Sequence, residues 1–240
     1  MKAFIVAKEQ DLVYNEVAAR FETVGDISDC DVVITIGGDG TILKAGTAAA
    51  VAGKPLLGIN TGRLGFMATL EKNELDKLER LKSGDYKISR RMLLQIGDLI
   101  ALNDVVIHRN AARLEEFVIN RDDVEVIRVR ADGIIIATPT GSTAYSLSAG
   151  GPIIEPELSC FLLTALSPHS LFNRPMVFSP DSRLSISANE KNVSVSVDGK
   201  ILEKTENIVI TKSKDYLDLI DIDGNNFYDS IHNKLMRPLK

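Results

Sequence analysis

The sequence predicts an α/β amino-terminal domain with a parallel sheet, followed by an antiparallel, β-rich carboxy-terminal domain of the β-sandwich-like type. Before about residue 87, apolar strand patterns alternate with helical patterns, which is typical of parallel sheets. After it, strand patterns follow one another without intervening helices, and residues 194–199 alternate with period two and end in Asp-Gly, a hairpin signal. We predict domains at 1–87 and 88–225, with a carboxy-terminal helix and tail at 226–240 that packs back on the first domain.

The first domain is predicted to contain three strands and three helices. The run at 32–36 is β-branched and uninterrupted, as expected of a strand buried on both faces of a parallel sheet. Gly53 and Gly84 are placed to end the second and third helices. The predicted strands are at 3–7, 32–36 and 55–59, and the predicted helices at 10–21, 41–51 and 74–81.

The second domain is predicted to contain nine strands, and the chain then closes on a short helix. Phe227, Ile231 and Leu235 recur at helical spacing, which predicts that the chain ends in a short helix. The strands are predicted at 92–96, 99–108, 116–119, 124–130, 134–137, 176–179, 184–188, 193–197 and 208–211.

Composition narrows the classes of partner. The 240 residues are 45% hydrophobic and 25% charged, with a net charge of -5 and no basic cluster, which argues against nucleic acid or an anionic membrane as partner. No apolar run reaches transmembrane length, and the amino terminus lacks the layout of a signal peptide. Cys30 and Cys160 are isolated and predicted to be reduced thiols. We therefore expect a cytoplasmic protein.

A glycine turn follows the strand at 32–36 and precedes the second helix. In the turn Gly37-Gly38-Asp39-Gly40, glycines let a ligand approach the backbone, and the helix start offers free N–H groups to a phosphate. A carboxylate beside a bound phosphate costs repulsion, so Asp39 is predicted to accept a proton from an attacking hydroxyl or to hold Mg²⁺. The alternative is that Asp39 only caps the helix.

A second glycine-containing loop, residues 60–66, follows the strand at 55–59. In an open parallel sheet the loops beyond the carboxyl ends of the strands share one crevice. We therefore expect this loop and the Asp39 turn to face the same ligand.

The stretch 138–148 is dense in Thr, Ser and Gly and follows a buried strand headed by Asp132. Hydroxyls and amides can hold a polar, sugar-bearing ligand without buried cations, and Tyr145 can stack on a base. The alternative is a plain surface loop. Asn103-Asp104 interrupts an apolar strand, and here ligand binding and a strand bulge remain equally open.

Together these motifs resemble those of the NAD kinase family. Gly37-Gly38-Asp39-Gly40-Thr41 resembles the family's Gly-Gly-Asp-Gly motif, which lipid kinases and phosphofructokinases share in similar form. Residues 138–152 are similar to the second family signature nearly letter for letter, and this long motif is specific. The likeness extends from about residue 31 to residue 199.

The resemblance implies a Rossmann-like first domain of the phosphofructokinase and lipid-kinase type, with NAD bound between the domains. It implies phosphoryl transfer from ATP or polyphosphate to the 2′-hydroxyl of the adenosine ribose of NAD, with Mg²⁺ or a similar divalent metal ion. It also implies a homodimer or homotetramer.

The resemblance also implies roles for individual residues. Asp39 would be the catalytic carboxylate, Gly37, Gly38, Gly40 and Lys44 the phosphate-donor loop, and Asp132 an NAD contact across a subunit boundary. Two positions depart from the family: Asp104 stands where many relatives have Glu, and Lys200 where relatives often have Gln. The NAD contacts would be Asp39, Gly40, Phe66, Asn103, Asp104, Arg113, Arg130, Asp132, Thr143, Ala144, Tyr145, Ser146, Leu147 and Ser148.

Two alternatives remain open at this point. A lipid kinase of the same superfamily would need an apolar acceptor channel, and the hydroxyl-rich stretch at 138–148 argues against one. A non-catalytic dinucleotide-binding sensor would not need the carboxylate of Asp39.

Overall fold

The chain divides into two compact units, Met1–Arg91 with Asp215–Lys240, and Met92–Lys214. The computed structural model describes residues 1–7, 12–62, 65–110, 112–170, 174–189, 193–202, 208–224 and 227–236. The sequence-based domain limits at residues 87 and 225 stay a prediction.

The first unit is built on a parallel sheet in the order β2-β1-β3-β4, with β5 and the end of β17 beside β4. All five residues of β3 are buried, as the β-branched pattern predicts. The strands are β1 Lys2–Ala7, β2 Glu22–Thr23, β3 Val32–Ile36, β4 Leu56–Asn60 and β5 Leu70–Glu71, and the long strands β6 Lys87–Ile96 and β17 Ile208–Asp221 belong partly to this unit.

Helices cover this sheet and supply the rest of its core. Val17 of the first helix and Leu78 and Leu81 of the third pack with β-strand residues in one apolar cluster. Gly84 ends the third helix in the left-handed conformation, with φ of 77°. The helices are α1 Leu12–Ala18, α2 Asp39–Val51, α3 Leu78–Ser83 and α5 Phe227–Ile231, with 3₁₀ turns at Ile27–Asp29 and Leu75–Lys77 and a π-helical turn at His232–Met236.

The second unit is antiparallel throughout its two sets of strands. One set has the order β13-β12-β11-β8-β15-β16, and the other runs from β10 through β9 and β14 to the beginning of β17. The strands are β7 Leu99–Ala101, β8 Asp104–Arg109, β9 Glu115–Arg121, β10 Val124–Ala131, β11 Gly133–Ala137, β12 Phe161–Leu166, β13 Met176–Phe178, β14 Leu184–Ala188, β15 Val193–Val197 and β16 Lys200–Leu202, and the short helix is α4 Tyr145–Ser148. Both fold-class predictions are confirmed.

Several sequence-based limits differ from the structure. The predicted strand at 99–108 is two strands, because the chain bends at Leu102 and Asn103. Strand β12 was not predicted, although its sequence, apolar except for Thr164, is typical of a strand buried on both faces. The predicted helix at 10–21 is shorter, with α1 at Leu12–Ala18, and residues 10 and 11 lie outside the described part of the chain. Within that part, no helix is long and apolar enough to cross a membrane.

Candidate functional site

The glycine turn after β3 starts a helix in which Asp39 is the first residue. Gly38 is the N-cap, with extended backbone angles (φ −94°, ψ −174°), and its carbonyl accepts the Thr41 N–H at 2.8 Å. The alternative that Asp39 is the helix cap is therefore wrong. Gly37 has φ of 152°, and a Cβ atom there would overlap the Thr41 hydroxyl, so the turn needs glycine at this position.

Both carboxylate oxygens of Asp39 are held by the backbone of the second glycine loop. Oδ2 accepts the Phe66 N–H at 2.7 Å, and Oδ1 accepts the Met67 N–H at 3.2 Å. Gly65 lies against the same carboxylate, where a Cβ atom would overlap Oδ1. The structure thus brings together Asp39 and Phe66, in line with the expected shared crevice, whereas Arg63 and Leu64 of this loop lie outside the described residues.

The same loop is fixed at its beginning by Asn60, the buried last residue of β4. Its amide donates to Glu71 Oε1 and Oε2 at 3.1 and 3.2 Å, and its own oxygen accepts the Gly62 N–H at 3.2 Å. Sequence reasoning missed Glu71, because a single acidic residue at the end of a short strand gives no pattern. Lys44 is exposed on α2, just over one helical turn after Gly40.

In the second unit, the bend at Asn103 is held by the hairpin turn between β15 and β16. Asp198 Oδ2 accepts the Leu102 N–H at 2.8 Å, and Oδ1 accepts the N–H groups of Asn103 and Asp104 at 2.8 and 3.1 Å. The Asn103 carbonyl in turn accepts the Thr138 N–H at 2.9 Å. The predicted Asn103-Asp104 pair and the predicted hydroxyl-rich segment are therefore joined through the backbone.

The hydroxyl-rich segment is mostly folded inward. The Thr138 hydroxyl donates to the Leu102 carbonyl at 2.6 Å and accepts the Gly141 N–H at 3.0 Å. The Ser142 hydroxyl contacts the Pro139 and Ile154 carbonyls, and Ser146 Oγ lies 2.8 Å from Thr164 Oγ1. The segment forms a 3₁₀ turn at Thr140–Thr143 and then α4, so the alternative of a plain surface loop is wrong.

The remaining predicted residues of this segment are more accessible. Tyr145 is 46% exposed, Ser148 is exposed, and Thr143, Ala144 and Leu147 are half-buried. A tyrosine ring with this exposure can stack on a planar ligand group. The Thr143 hydroxyl donates to the Thr140 carbonyl at 3.2 Å.

Two buried threonines of this segment make a matched pair for a stability prediction. The Thr138 hydroxyl makes both contacts above, whereas the Thr140 hydroxyl has no hydrogen-bond partner among the described residues. Thr138→Val is expected to lower the free energy of unfolding by about 2–3 kcal/mol, because it leaves buried backbone groups unpaired. Thr140→Val is expected to leave it unchanged or raise it by about 1 kcal/mol. Denaturant unfolding measures both, and equal losses would contradict the assignment.

Asp132 lies in the second unit but outside the hydroxyl-rich segment, and so do the predicted basic residues Arg113 and Arg130. Asp132 lies in the bend between β10 and β11, so although it follows Arg130 by two residues, the two do not share a face of one strand. Its ion-pair partner is Arg109, whose Nε lies 2.6 Å from Oδ1, and this hydrogen bond holds the pKa of Asp132 below its ordinary value. Arg130 and Arg113 are exposed.

Asp104 carries the largest electrostatic perturbation among the predicted residues. Its side chain is 6% exposed, and burial followed by the nearby charge of Asp198 raises its pKa to about 7. Burial also raises the pKa of Asp198, although three backbone N–H groups oppose that shift. Those three N–H groups favour the charged form of Asp198.

An α/β unit whose glycine turn places a carboxylate at a helix start is suited to a phosphotransferase acting on phosphate-bearing substrates. The chain matches two family models, the ATP-NAD kinase N-terminal domain over residues 8–86 and the ATP-NAD kinase C-terminal domain over residues 102–222. The chain belongs to the NAD kinase family.

Individual relatives agree with the family models. The chain is 40% identical to the NAD kinase of Caldanaerobacter subterraneus subsp. tengcongensis, over 87% of this chain and 79% of that protein. It is 36% identical to the NAD kinase of Saccharophagus degradans, over 97% and 88% of the two chains.

Two solved structures share the fold. Yeast NADH kinase complexed with NADH superposes with a TM-score of 0.87 at 25% identity, covering 100% of this chain and 90% of that one. The NAD kinase of Archaeoglobus fulgidus in complex with ATP gives a TM-score of 0.84 at 28% identity, covering 98% and 99%.

Proposed function

We propose that this protein transfers the γ-phosphoryl group of ATP to the 2′-hydroxyl of the adenosine ribose of NAD, forming NADP and ADP. The observation that carries this proposal is the Asp39 carboxylate, held by the Phe66 and Met67 N–H groups at the start of α2 in a chain of the NAD kinase family. A fixed carboxylate beside a phosphate-binding turn is suited to accept the proton of an attacking hydroxyl.

The reaction requires little covalent chemistry from the protein. The ribose 2′-oxygen forms a bond to the γ-phosphorus, the bond between that phosphorus and the bridging oxygen of ADP breaks, and the hydroxyl proton passes to Asp39. Because both Asp39 oxygens are already oriented by backbone donors, little side-chain freedom is lost when the substrate hydroxyl arrives. Positioning and charge stabilisation dominate phosphoryl transfer.

We propose that the donor phosphates bind at Gly37, Gly38 and Gly40, with Lys44 contributing a positive charge. Bare backbone at a helix start supports this assignment, since N–H groups and the helix dipole favour anions. The exposed position of Lys44 leaves its ammonium group free to approach a phosphate.

We propose that NAD is recognised through two motifs of the second unit, the Asn103-Asp104 bend and the hydroxyl-rich segment at 138–148, together with the further residues given below. The accessible ring of Tyr145 would stack on a base, and the bend at Asn103 would offer a side-chain amide. The proposed NAD contacts are Asp39, Gly40, Phe66, Asn103, Asp104, Arg113, Arg130, Asp132, Thr143, Ala144, Tyr145, Ser146, Leu147 and Ser148.

A divalent metal ion, Mg²⁺ for preference, is proposed to enter with ATP. Among the residues described, no three His, Cys, Asp or Glu side chains lie together as metal ligands. Mg²⁺ commonly binds substrate phosphates and water with only one or two carboxylates, and it would neutralise phosphate charge. Chelation is therefore expected to abolish turnover while the melting temperature of the ligand-free protein stays the same.

We propose that the protein is a homodimer or homotetramer in which Asp132 reaches the NAD site of another copy. Within one chain, Asp132 and Thr138 lie at opposite ends of β11, about 20 Å apart by the rise of a strand. One copy would therefore use Asp132 and the hydroxyl-rich segment at separate places. A cytoplasmic location is also proposed, in keeping with the free thiols of Cys30 and Cys160.

Asp132→Ala is expected to raise the KM for NAD, and wild-type activity is expected to fall on dilution below the subunit dissociation constant. The control is Asp181→Ala, which removes an acidic residue from an exposed ion pair with Lys212 and should leave the KM unchanged. Sedimentation alongside activity assays provides the measurement. A fully active monomer with a normal KM for Asp132→Ala would contradict the shared site.

The test of the proposed function is a matrix of phosphoryl donors and acceptors with the purified protein. ATP and polyphosphate are paired with NAD, NADH and a diacylglycerol, with and without Mg²⁺, and NADP or NADPH is detected by a coupled dehydrogenase. Formation of NADP from NAD and ATP is expected. Phosphorylation of the lipid alone would favour the lipid kinase, and NAD binding without turnover would favour the sensor; no observation favours either alternative.

A further inference from the structure

The hairpin turn between β15 and β16 makes an unusual set of contacts for a turn. Its first residue, Asp198, directs its carboxylate at three consecutive backbone N–H groups, those of Leu102, Asn103 and Asp104, at 2.8, 2.8 and 3.1 Å. Its own N–H donates to the Asp104 carbonyl at 3.0 Å. Asp198 therefore fixes the bend between β7 and β8 from both its side chain and its backbone.

The geometry of the turn is adapted to this purpose. Asp198 has φ of 48° and Gly199 φ of 78°, the left-handed pair that a two-residue hairpin needs. Aspartate tolerates this conformation better than most residues, but an asparagine would satisfy it equally well. The turn alone does not explain a carboxylate, whereas three N–H donors do, because bonds to an anion are roughly twice as strong as neutral ones.

The bend that Asp198 holds is the place where the two proposed NAD-binding motifs of the second unit meet. The Asn103 carbonyl accepts the Thr138 N–H, and a Cβ atom at Gly141 would overlap that same carbonyl. A shift of the Asn103 backbone would therefore move both the Asn103 side chain and the segment that carries Tyr145.

We infer that Asp198 is a positioning residue of the NAD site, which sets the Asn103-Asp104 bend and, through Asn103, the hydroxyl-rich segment. This inference rests on the proposed function and deepens it. Asp198 acts through the backbone of residues 102–104. The hairpin turn thereby belongs to the substrate-recognition machinery.

The carboxylate also has an electrostatic consequence that a purely structural turn would lack. The charge of Asp198 contributes to the raised pKa of Asp104, after burial, and Lys200 in the same hairpin opposes the rise at Asp198 itself. Asp104 is neutral below pH of about 7 and ionised above it. Since Asp104 is a proposed NAD contact, a plot of NAD affinity against pH is expected to change slope with a midpoint near that pH.

The test compares Asp198→Asn with a matched control, Asp122→Asn. Asp122 is likewise a hairpin residue at positive φ, and its Oδ1 accepts one backbone N–H, that of Arg183 at 3.0 Å. Asp198→Asn turns an NH₂ group toward backbone donors and removes the charge. It is expected to raise the Kd and KM for NAD by about 10- to 100-fold, the effect of losing one to two charge-assisted bonds. The kcat and the KM for ATP are expected to stay close to wild type.

The pH profile separates positioning from a general structural defect. The midpoint of the pH dependence of NAD affinity is expected to move to lower pH in Asp198→Asn and to stay near its wild-type value in Asp122→Asn. If Asp198→Asn does not fold, Asp198→Glu serves instead. It keeps the charge, so the midpoint of the pH profile should stay where it is while the Kd for NAD rises. Titration calorimetry with NAD alone gives these values without turnover.

The outcomes distinguish a failure of the positioning role of Asp198 from a failure of the proposed function. A folded Asp198→Asn protein with wild-type NAD affinity and an unchanged pH midpoint overturns the positioning role and leaves the proposed function intact. A wild-type protein that neither binds NAD nor forms NADP overturns both.

Discussion

Replacing Asp39 by asparagine is expected to lower kcat by about 10²–10⁴-fold, the usual contribution of a general base. The affinity for NAD is expected to stay close to wild type, because the amide keeps nearly the same shape. In the proposed mechanism the carboxylate is the group that accepts the hydroxyl proton, and an amide cannot accept it. Steady-state kinetics with NAD and ATP, together with calorimetric titration of NAD, measure the two quantities separately.

The asparagine amide also turns an NH₂ group toward the Phe66 or Met67 N–H, so Asp39→Ala is a necessary companion. A similar loss in both variants assigns the effect to the missing carboxylate. The control is Asp85→Asn, which removes an exposed carboxylate paired with Arg80 in the same unit and should keep the wild-type kcat. If Asp39→Asn retained near wild-type turnover, Asp39 would not act on the reacting atoms.

The sequence predicts well those strands, turns and helices that depend on neighbouring residues. The β-branched run of β3, the glycine turn and the Ala-rich helix after it predict Asp39 correctly at a strand-to-helix junction. Alternation and Asp-Gly predict the hairpin of β15 and β16. Each of these signals lies within about ten residues, where periodicity and turn preferences act directly.

The parts that the sequence did not predict are contacts between distant positions. Asp39 is held from 27 and 28 residues away, and Asp198 reaches residues 94 to 96 positions earlier. Asp132 pairs with Arg109, which lies 23 residues earlier in the sequence. Such contacts depend on which loops the tertiary fold brings together, and no local pattern encodes them. For the same reason the sequence around Asp198 predicts only a hairpin turn.

Gly65→Ala is expected to cause the second large loss of activity, although no polar group is removed. A Cβ atom at this position would overlap Asp39 Oδ1 and lie close to the rest of the carboxylate. The carboxylate must then rotate away or the loop must shift, and either change weakens the Phe66 and Met67 contacts. A misplacement of about 1 Å can cost roughly 10²-fold in rate, so a loss of that order in kcat is expected.

The matched control is Gly25→Ala, because a Cβ atom at Gly25 meets nothing within 4 Å and lies in the same unit. Both variants add one methyl group, so a general effect of substituting glycine would appear in both. The expected pattern is a loss of kcat in Gly65→Ala alone, accompanied by a lower melting temperature because the Phe66 and Met67 contacts are weakened. Combining Gly65→Ala with Asp39→Ala is decisive, because two changes acting through one carboxylate should not add. Fully multiplicative losses would show that Gly65 affects catalysis by a route independent of Asp39.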